Sequence, residues 1–180
     1  EVHDAVFRRV LAMAVARGLV VGQTAGVDST TLEANAAMKS IVRRETGEDW
    51  KQFVTRLMRE AGAIGADEEP TDEELRRFDK QRANKKVSND EWVSTTDSDS
   101  RITKMKKGPT HLAYKAEHVV DLDSEFLLAA TVHGGDAADT DTLCDSVVEA
   151  RVNLQEAGSD GKVAEVVNDK GYHAAATIEL

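Results

Sequence analysis

Two aspartates stand where a carboxylate could do chemistry: Asp28 in "AGVDSTTLEA" and Asp169 in "VVNDKGYH". Each follows a short run of apolar, β-branched residues and precedes small or turn-forming ones. Both are therefore expected at strand ends, with room in front for a ligand. Carboxylates delivered by neighbouring strands can hold a hard cation such as Mg²⁺, which takes oxygen ligands and keeps waters that substrate phosphate can replace. Two such ions roughly 3.5–4 Å apart activate the attacking oxygen and stabilise the leaving one in phosphoryl transfer. Aspartates at strand ends also make turns and helix caps, so neither residue is specific by itself.

Other polar groups offer phosphate contacts. His111 and Lys115, four positions apart on one expected strand, share a face that would approach DNA or simply meet solvent. His111 and His118 are an odd number of positions apart and point to opposite sides, which makes them a poor metal pair. The basic runs "DKQRANKK" and "RITKMKKG", the second containing Lys104, Lys106 and Lys107, can neutralise phosphates or form a solvated surface. His173 lies close to Asp169 in sequence and also suits a turn.

These residues need elements to position them. Val2, Val6, Val10 and Ala14, flanked by Phe7 and Leu11, recur at helical spacing, and Gly18 suits a C-terminal cap. "LVVGQTAGVDSTTLEA" reads as a strand that ends near Asp28 and resumes through Leu32. Trp50, Phe53, Val54, Leu57 and Met58 form a second helical stripe stopped by Gly62. Thr71 and Glu74 have capping-box spacing before a mostly solvated helix that offers only Leu75 and Phe78 to a core. "KKVSNDEWVSTTDSDSR" has loop composition. "HLAYKAEHVVD" and "EFLLAATVH" are strands joined by a tight polar link, a hairpin. Leu143, Val147, Ala150 and Leu154 share a helix face, with Asp139 to Asp141 as caps and Gly158 as the stop. "KVAEVVND" is the next strand, followed by the start of a helix. The expected fold is α/β, with a mixed sheet in which an antiparallel hairpin is joined by one parallel strand.

Composition narrows the class. With 180 residues the chain is expected to form one domain with an insertion. Its apolar fraction of 41% is ordinary while only 4% is aromatic, so the core must be built from Val, Leu and Ala. A net charge of −10 argues against a generic nucleic-acid binder, yet from Pro109 onward the only basic residues are Lys115, Arg151, Lys162 and Lys170. Basic character is thus concentrated earlier in the chain. Cys144 is the single cysteine, which leaves no disulfide framework or cysteine-based zinc site and suits a cytoplasmic protein. No uncharged apolar run reaches membrane-spanning length, no signal-peptide pattern opens the chain, and no membrane partner is expected.

Three blocks in order, "VDSTTLEANAAMKSIVRR", "RITKMKKGPTHLAYKAEHVVD" and "VVNDKGYHA", resemble the DDE transposases of bacterial insertion sequences. That group has a ribonuclease-H-like catalytic core, and the resemblance covers nearly the whole chain. It implies an N-terminal helix over 1–19, a partial core over 20–34 and 109–180, and a helical and loop insertion over 35–108. Asp28, Ser29 and Thr30 match the family's D-S/G-T pattern, and Asp169, Lys170, Gly171 and Tyr172 match its acidic residue before K-G-Y. Asp28 and Asp169 would be catalytic metal ligands for Mg²⁺ or Mn²⁺, activating water or a DNA 3′-hydroxyl to attack a phosphodiester. Lys104, Lys106, Lys107, His111, Lys115, Lys170 and Tyr172 would contact double-stranded DNA, at both element ends and target.

The resemblance also implies a homodimer in a full-length protein. The family's third acidic residue, a Glu on a later helix, has no match, because Glu179 follows Asp169 too closely. The sequence is therefore expected to be a fragment, inactive alone. Asn168 and the Ala174–Ala176 run also depart from the family pattern. Two other functions stay open, a non-catalytic DNA-binding remnant and a phosphatase of the aspartyl-phosphate type. The second is disfavoured because Thr30 stands where the D-x-D-x-T loop needs its second acid.

Overall fold

The computed structural model describes residues 2–83, 88–104, 108–159 and 162–172. Lys85, Lys86, Lys106, Lys107, His173, Ala174–Ala176 and Glu179 lie outside the described residues. Along the chain the elements are α1 (Val2–Ala16), β1 (Thr24–Glu33), β2 (Ile41–Arg43), α2 (Trp50–Glu60), α3 (Asp72–Gln81), β3 (Trp92–Ser94), β4 (Arg101–Lys104), β5 (Thr110–Asp121), β6 (Leu127–Gly134), α4 (Asp139–Glu156) and β7 (Glu165–Val167). Short 3-10 turns occupy Met38–Ser40 and Lys170–Tyr172. The fold is α/β with a mixed sheet. Contacts divide it into two compact units, residues 1–32 with 115–180, and residues 33–114.

In the first unit the strand order is β6-β5-β1-β7. The β5–β6 turn closes through Asp121 N–H to Phe126 O at 2.9 Å, reversing the chain as the polar "DLDS" link predicts. β1 lies antiparallel to β5, since Leu122 N–H donates to Thr24 O and Ala34 N–H to Leu112 O, one register at both ends. β7 pairs parallel with β1, in the register Thr24↔Glu165, Ala25↔Val166 and Gly26↔Val167. The crossover between β6 and β7 is α4, which packs on β6 and on α1. Ala25, Val27, Val119, Leu128, Leu143, Val147, Ala150 and Leu154 form the core between sheet and helices.

Two sequence expectations need correction in this unit. β1 does not end near Asp28 but runs unbroken to Glu33, because its second half keeps β5 as a ladder partner after β7 has stopped. α1 buries Leu11 and Ala14, with Phe7 and Val15 beside them, whereas Val2, Val6 and Val10 are exposed. Apolar spacing identified the helix without identifying which of two apolar stripes meets α4. Its C-terminus is as expected: Gly18 has φ 67°, a left-handed conformation open to glycine, and Leu19 N–H returns to Ala14 O at 3.0 Å.

The second unit is built on local signals. Asp49 and Gln52 form a capping box for α2, and Thr71 and Glu74 form one for α3. Val54, Met58 and Leu75 pack where the two helices meet. β2 and β3 pair antiparallel, Arg43 opposite Trp92, and β4 pairs antiparallel with the start of β5. Phe53 meets Trp92 edge to face at 5.5 Å and carries the Arg43 guanidinium 4.8 Å above its ring. β3 and the first residue of β4 fall in the stretch expected as loop, and β2 and the rest of β4 in what was expected as an insertion of helices and loop. Runs of three or four residues are too short to show a period.

Candidate functional site

The parallel register continues past the last ladder pair. Two residues beyond Gly26↔Val167, Asp169 comes level with Asp28, and both line one cleft with Gly26, His118, Val120, Leu122 and Val167. By the β1–β5 register His118 stands opposite Asp28 on the other neighbouring strand. Both carboxylates are exposed, and each is held by one local backbone donor. Asp28 Oδ1 accepts from Ser29 N–H at 2.9 Å, and Asp169 Oδ1 accepts from Gly171 N–H at 2.6 Å. One oxygen of each is thereby oriented, and its second oxygen is left for a ligand.

On the opposite face of the sheet lies a buried polar cluster. Successive residues of a strand alternate between faces, so Ser29 points away from the Asp28 cleft and toward α4. Ser29 Oγ donates to Asp139 Oδ1 at 3.2 Å. Lys115, 5% exposed, places Nζ 2.8 Å from Asp139 Oδ1, 3.2 Å from Glu117 Oε1 and 2.7 Å from Thr142 Oγ1. Glu117, at 0% exposure, accepts from the hydroxyls of Thr142, Ser146 and Tyr172. Burial pushes the Glu117 carboxyl up, but the hydrogen bonds from Ser146, Thr142 and Lys115 together outweigh burial and hold it below the ordinary carboxylate range. Burial is also the chief reason the Tyr172 phenol is pushed far above its ordinary value, reinforced by the Glu117 charge.

This cluster reassigns several sequence expectations. Lys115 and Tyr172, expected at a DNA surface, are internal: the lysine is spent on two carboxylates and the phenol on Glu117. Asp139, expected as a helix cap, is already inside α4. The N-cap is Ala138, which makes no side-chain bond, and the Asp139 carboxylate instead faces Lys115 and Ser29. His111 is partly exposed and its Nδ1 lies 2.9 Å from Glu33 Oε1, in the second unit. Lys104 and Lys170 are exposed, at the end of β4 and beside Asp169.

Glu117, Thr142 and Ser146 escaped the sequence reading. Their signal was polar residues on faces otherwise read as apolar: Glu117 alternates with Val119, and Ser146 sits beside Val147. Gly171, expected only as part of the K-G-Y match, has a steric role. A Cβ there would stand 2.7 Å from Asp139 Oδ2 and 2.9 Å from Asp169 Oδ1, so any side chain at this position must push those carboxylates aside.

The donor chemistry fits a hard cation, since two exposed aspartates on one cleft can supply two of its oxygens and water the remainder. Among the described residues no three His, Cys, Asp or Glu side chains form a metal-holding group. Also among the described residues, no helix is long and apolar enough to cross a membrane. Comparison with protein-family models, curated proteins and solved structures finds no match to this chain.

Proposed function

We propose that this chain is a fragment of a DDE transposase carrying part of its ribonuclease-H-like core, the part that supplies two of the carboxylates for metal-dependent cleavage and transfer of DNA strands. The observation that carries the reading is the parallel β1–β7 pairing, which brings Asp28 and Asp169 to one cleft although 140 positions separate them. An antiparallel hairpin, a helical crossover and a return strand parallel to the first are also the arrangement the resemblance calls for.

Mg²⁺ or Mn²⁺ bound at this pair supplies Lewis acidity toward a phosphodiester and lowers the pKa of an attacking water or 3′-hydroxyl. Asp28 and Asp169 would hold the ion, and in each one oxygen is already engaged by a local backbone N–H, leaving the other as the ligand. Leu122 and Val167, themselves about half exposed, line the cleft beside the carboxylates. Lys170, exposed next to Asp169, is the residue we assign to a phosphate oxygen.

The test is cleavage of double-stranded DNA, with and without Mg²⁺, by this chain extended at its C-terminus to supply the third acidic residue that the resemblance calls for. Asp28→Asn and Asp169→Asn are each expected to abolish metal-dependent cleavage while leaving the far-UV circular dichroism spectrum unchanged. Cleavage that persists undiminished in either variant overturns the assignment. Salt-sensitive DNA binding without any metal-dependent cleavage would instead favour the non-catalytic DNA-binding remnant.

A further inference from the structure

We propose that Tyr172 is a positioning residue for Asp169: its buried hydroxyl, seated on Glu117 beneath the sheet, fixes the turn that presents the Asp169 carboxylate to the Asp28 cleft. The inference rests on the reading of Asp28 and Asp169 as a metal-binding pair.

The turn has few other anchors. The β1–β7 ladder stops at Val167, two residues before Asp169. Asp169, Lys170 and Gly171 are exposed, and Tyr172, 2% exposed, is the one residue of this turn in the core. Its N–H closes the turn on Asp169 O at 3.3 Å, and its hydroxyl donates to Glu117 Oε1 at 3.0 Å. Its ring lies 5.6 Å from Lys115 Nζ, the cation that balances Glu117. Asp169 thus hangs between a ladder end and a buried phenol. Ser29, the neighbour of Asp28, joins the same cluster through Asp139, so both carboxylate-bearing segments are referenced to one buried charge network.

Tyr172→Phe removes the hydroxyl and keeps the ring packing. Ser146→Ala removes an equivalent hydrogen bond to Glu117 from the α4 side, remote from the turn. Mn²⁺ binding to the full chain, followed by the loss of the free-ion electron paramagnetic resonance signal, reads the site directly, and thermal melting reads stability. Tyr172→Phe is expected to weaken Mn²⁺ about fivefold, the equivalent of one hydrogen bond of about 1 kcal/mol. Ser146→Ala should lower the melting temperature comparably and leave Mn²⁺ affinity unchanged. Tyr172→Phe added to Asp169→Asn should cost no further affinity.

If Tyr172→Phe binds Mn²⁺ as tightly as the unaltered chain while Asp169→Asn does not, the positioning role is overturned and the metal pair stands. Equal weakening by Ser146→Ala overturns the positioning role too, since general loosening then explains the effect. If the unaltered chain does not bind Mn²⁺, or Asp169→Asn binds it undiminished, the metal pair and the positioning role fall together.

Discussion

Replacing Lys115 by methionine keeps most of the aliphatic stem and deletes the cation at the centre of the buried cluster. At 3.2 Å from Glu117 and an effective dielectric constant near 20, the lost attraction is about 5 kcal/mol before desolvation is considered. Removing the lysine also returns its own desolvation penalty, while Glu117 is left fully buried with three neutral hydroxyl donors. Asp139, whose side chain is 35% exposed, recovers part of its hydration and contributes less. Breaking one partner out of a buried pair costs roughly 3–5 kcal/mol, and the remaining donors put this case near the lower end, about 3 kcal/mol. For a chain of this size that is a fall in melting temperature of about 6–12 °C.

The penalty should depend on pH with a definite sign. In the unaltered protein the Glu117 carboxyl is held below its ordinary value of 4.5, so its stabilisation is complete above that value and is lost as pH falls through the lowered one. Without Lys115, burial faces fewer opposing bonds and the carboxyl moves up. A carboxyl raised in the folded state costs stability above 4.5, and the cost disappears as the folded protein takes up the proton. The deficit of Lys115→Met should therefore be largest near neutral pH and narrow toward 4.5. Urea denaturation at several pH values, with unchanged m-values, measures this. A deficit constant over that range, or none at neutral pH, refutes the account of Glu117 as a buried carboxylate that depends on Lys115.

Two further outcomes follow from the geometry. Gly171→Ala places a methyl group against the Asp139 and Asp169 carboxylates, so it should cost about 1–3 kcal/mol in urea denaturation and weaken Mn²⁺ binding; unchanged values in both would refute the steric role. The chain has two tyrosines, Tyr114 pushed up to about 12 chiefly by its hydrogen bond to Asp97, and Tyr172 pushed higher by burial. Absorbance titration should accordingly show no phenolate forming near pH 10, the ordinary tyrosine value, and a transition there with the amplitude of one tyrosine contradicts the structure.

How much of this was legible in the sequence follows the range of each signal. The capping box of α3, the polar link between β5 and β6 and the apolar face of α4 are contained within a few turns of chain, and they appear where the spacing puts them; the capping box of α2, Asp49 with Gln52, is equally local and was overlooked. β2, β3 and β4 were not legible, because three or four residues cannot display a period and their pairing depends on partners elsewhere in the chain. The buried stripe of α1 was not legible either, since two apolar stripes were available and only packing against α4 chooses between them. Glu117 is the clearest case. Within "HLAYKAEHVVD" nothing local says which strand face a helix will cover, so a glutamate on the covered face reads like one in solvent.

Asp28 sharpens what the end of a strand means for a site like this one. The residue is the fifth of a ten-residue strand, so the argument from its own strand's end fails in detail. The cleft opens beside it all the same, because β7 stops at Val167 and Asp169 turns out of the ladder level with Asp28. The relevant end belongs to the partner strand. A parallel partner that finishes early exposes the edge of its neighbour in mid-course, and a carboxylate there gains both a rigid backbone and open space. That rigidity is asymmetric. Asp28 is fixed by ladders on β1, whereas Asp169 depends on the turn closed by Tyr172, so removing the Tyr172 hydroxyl should move the second carboxylate and leave the first in place.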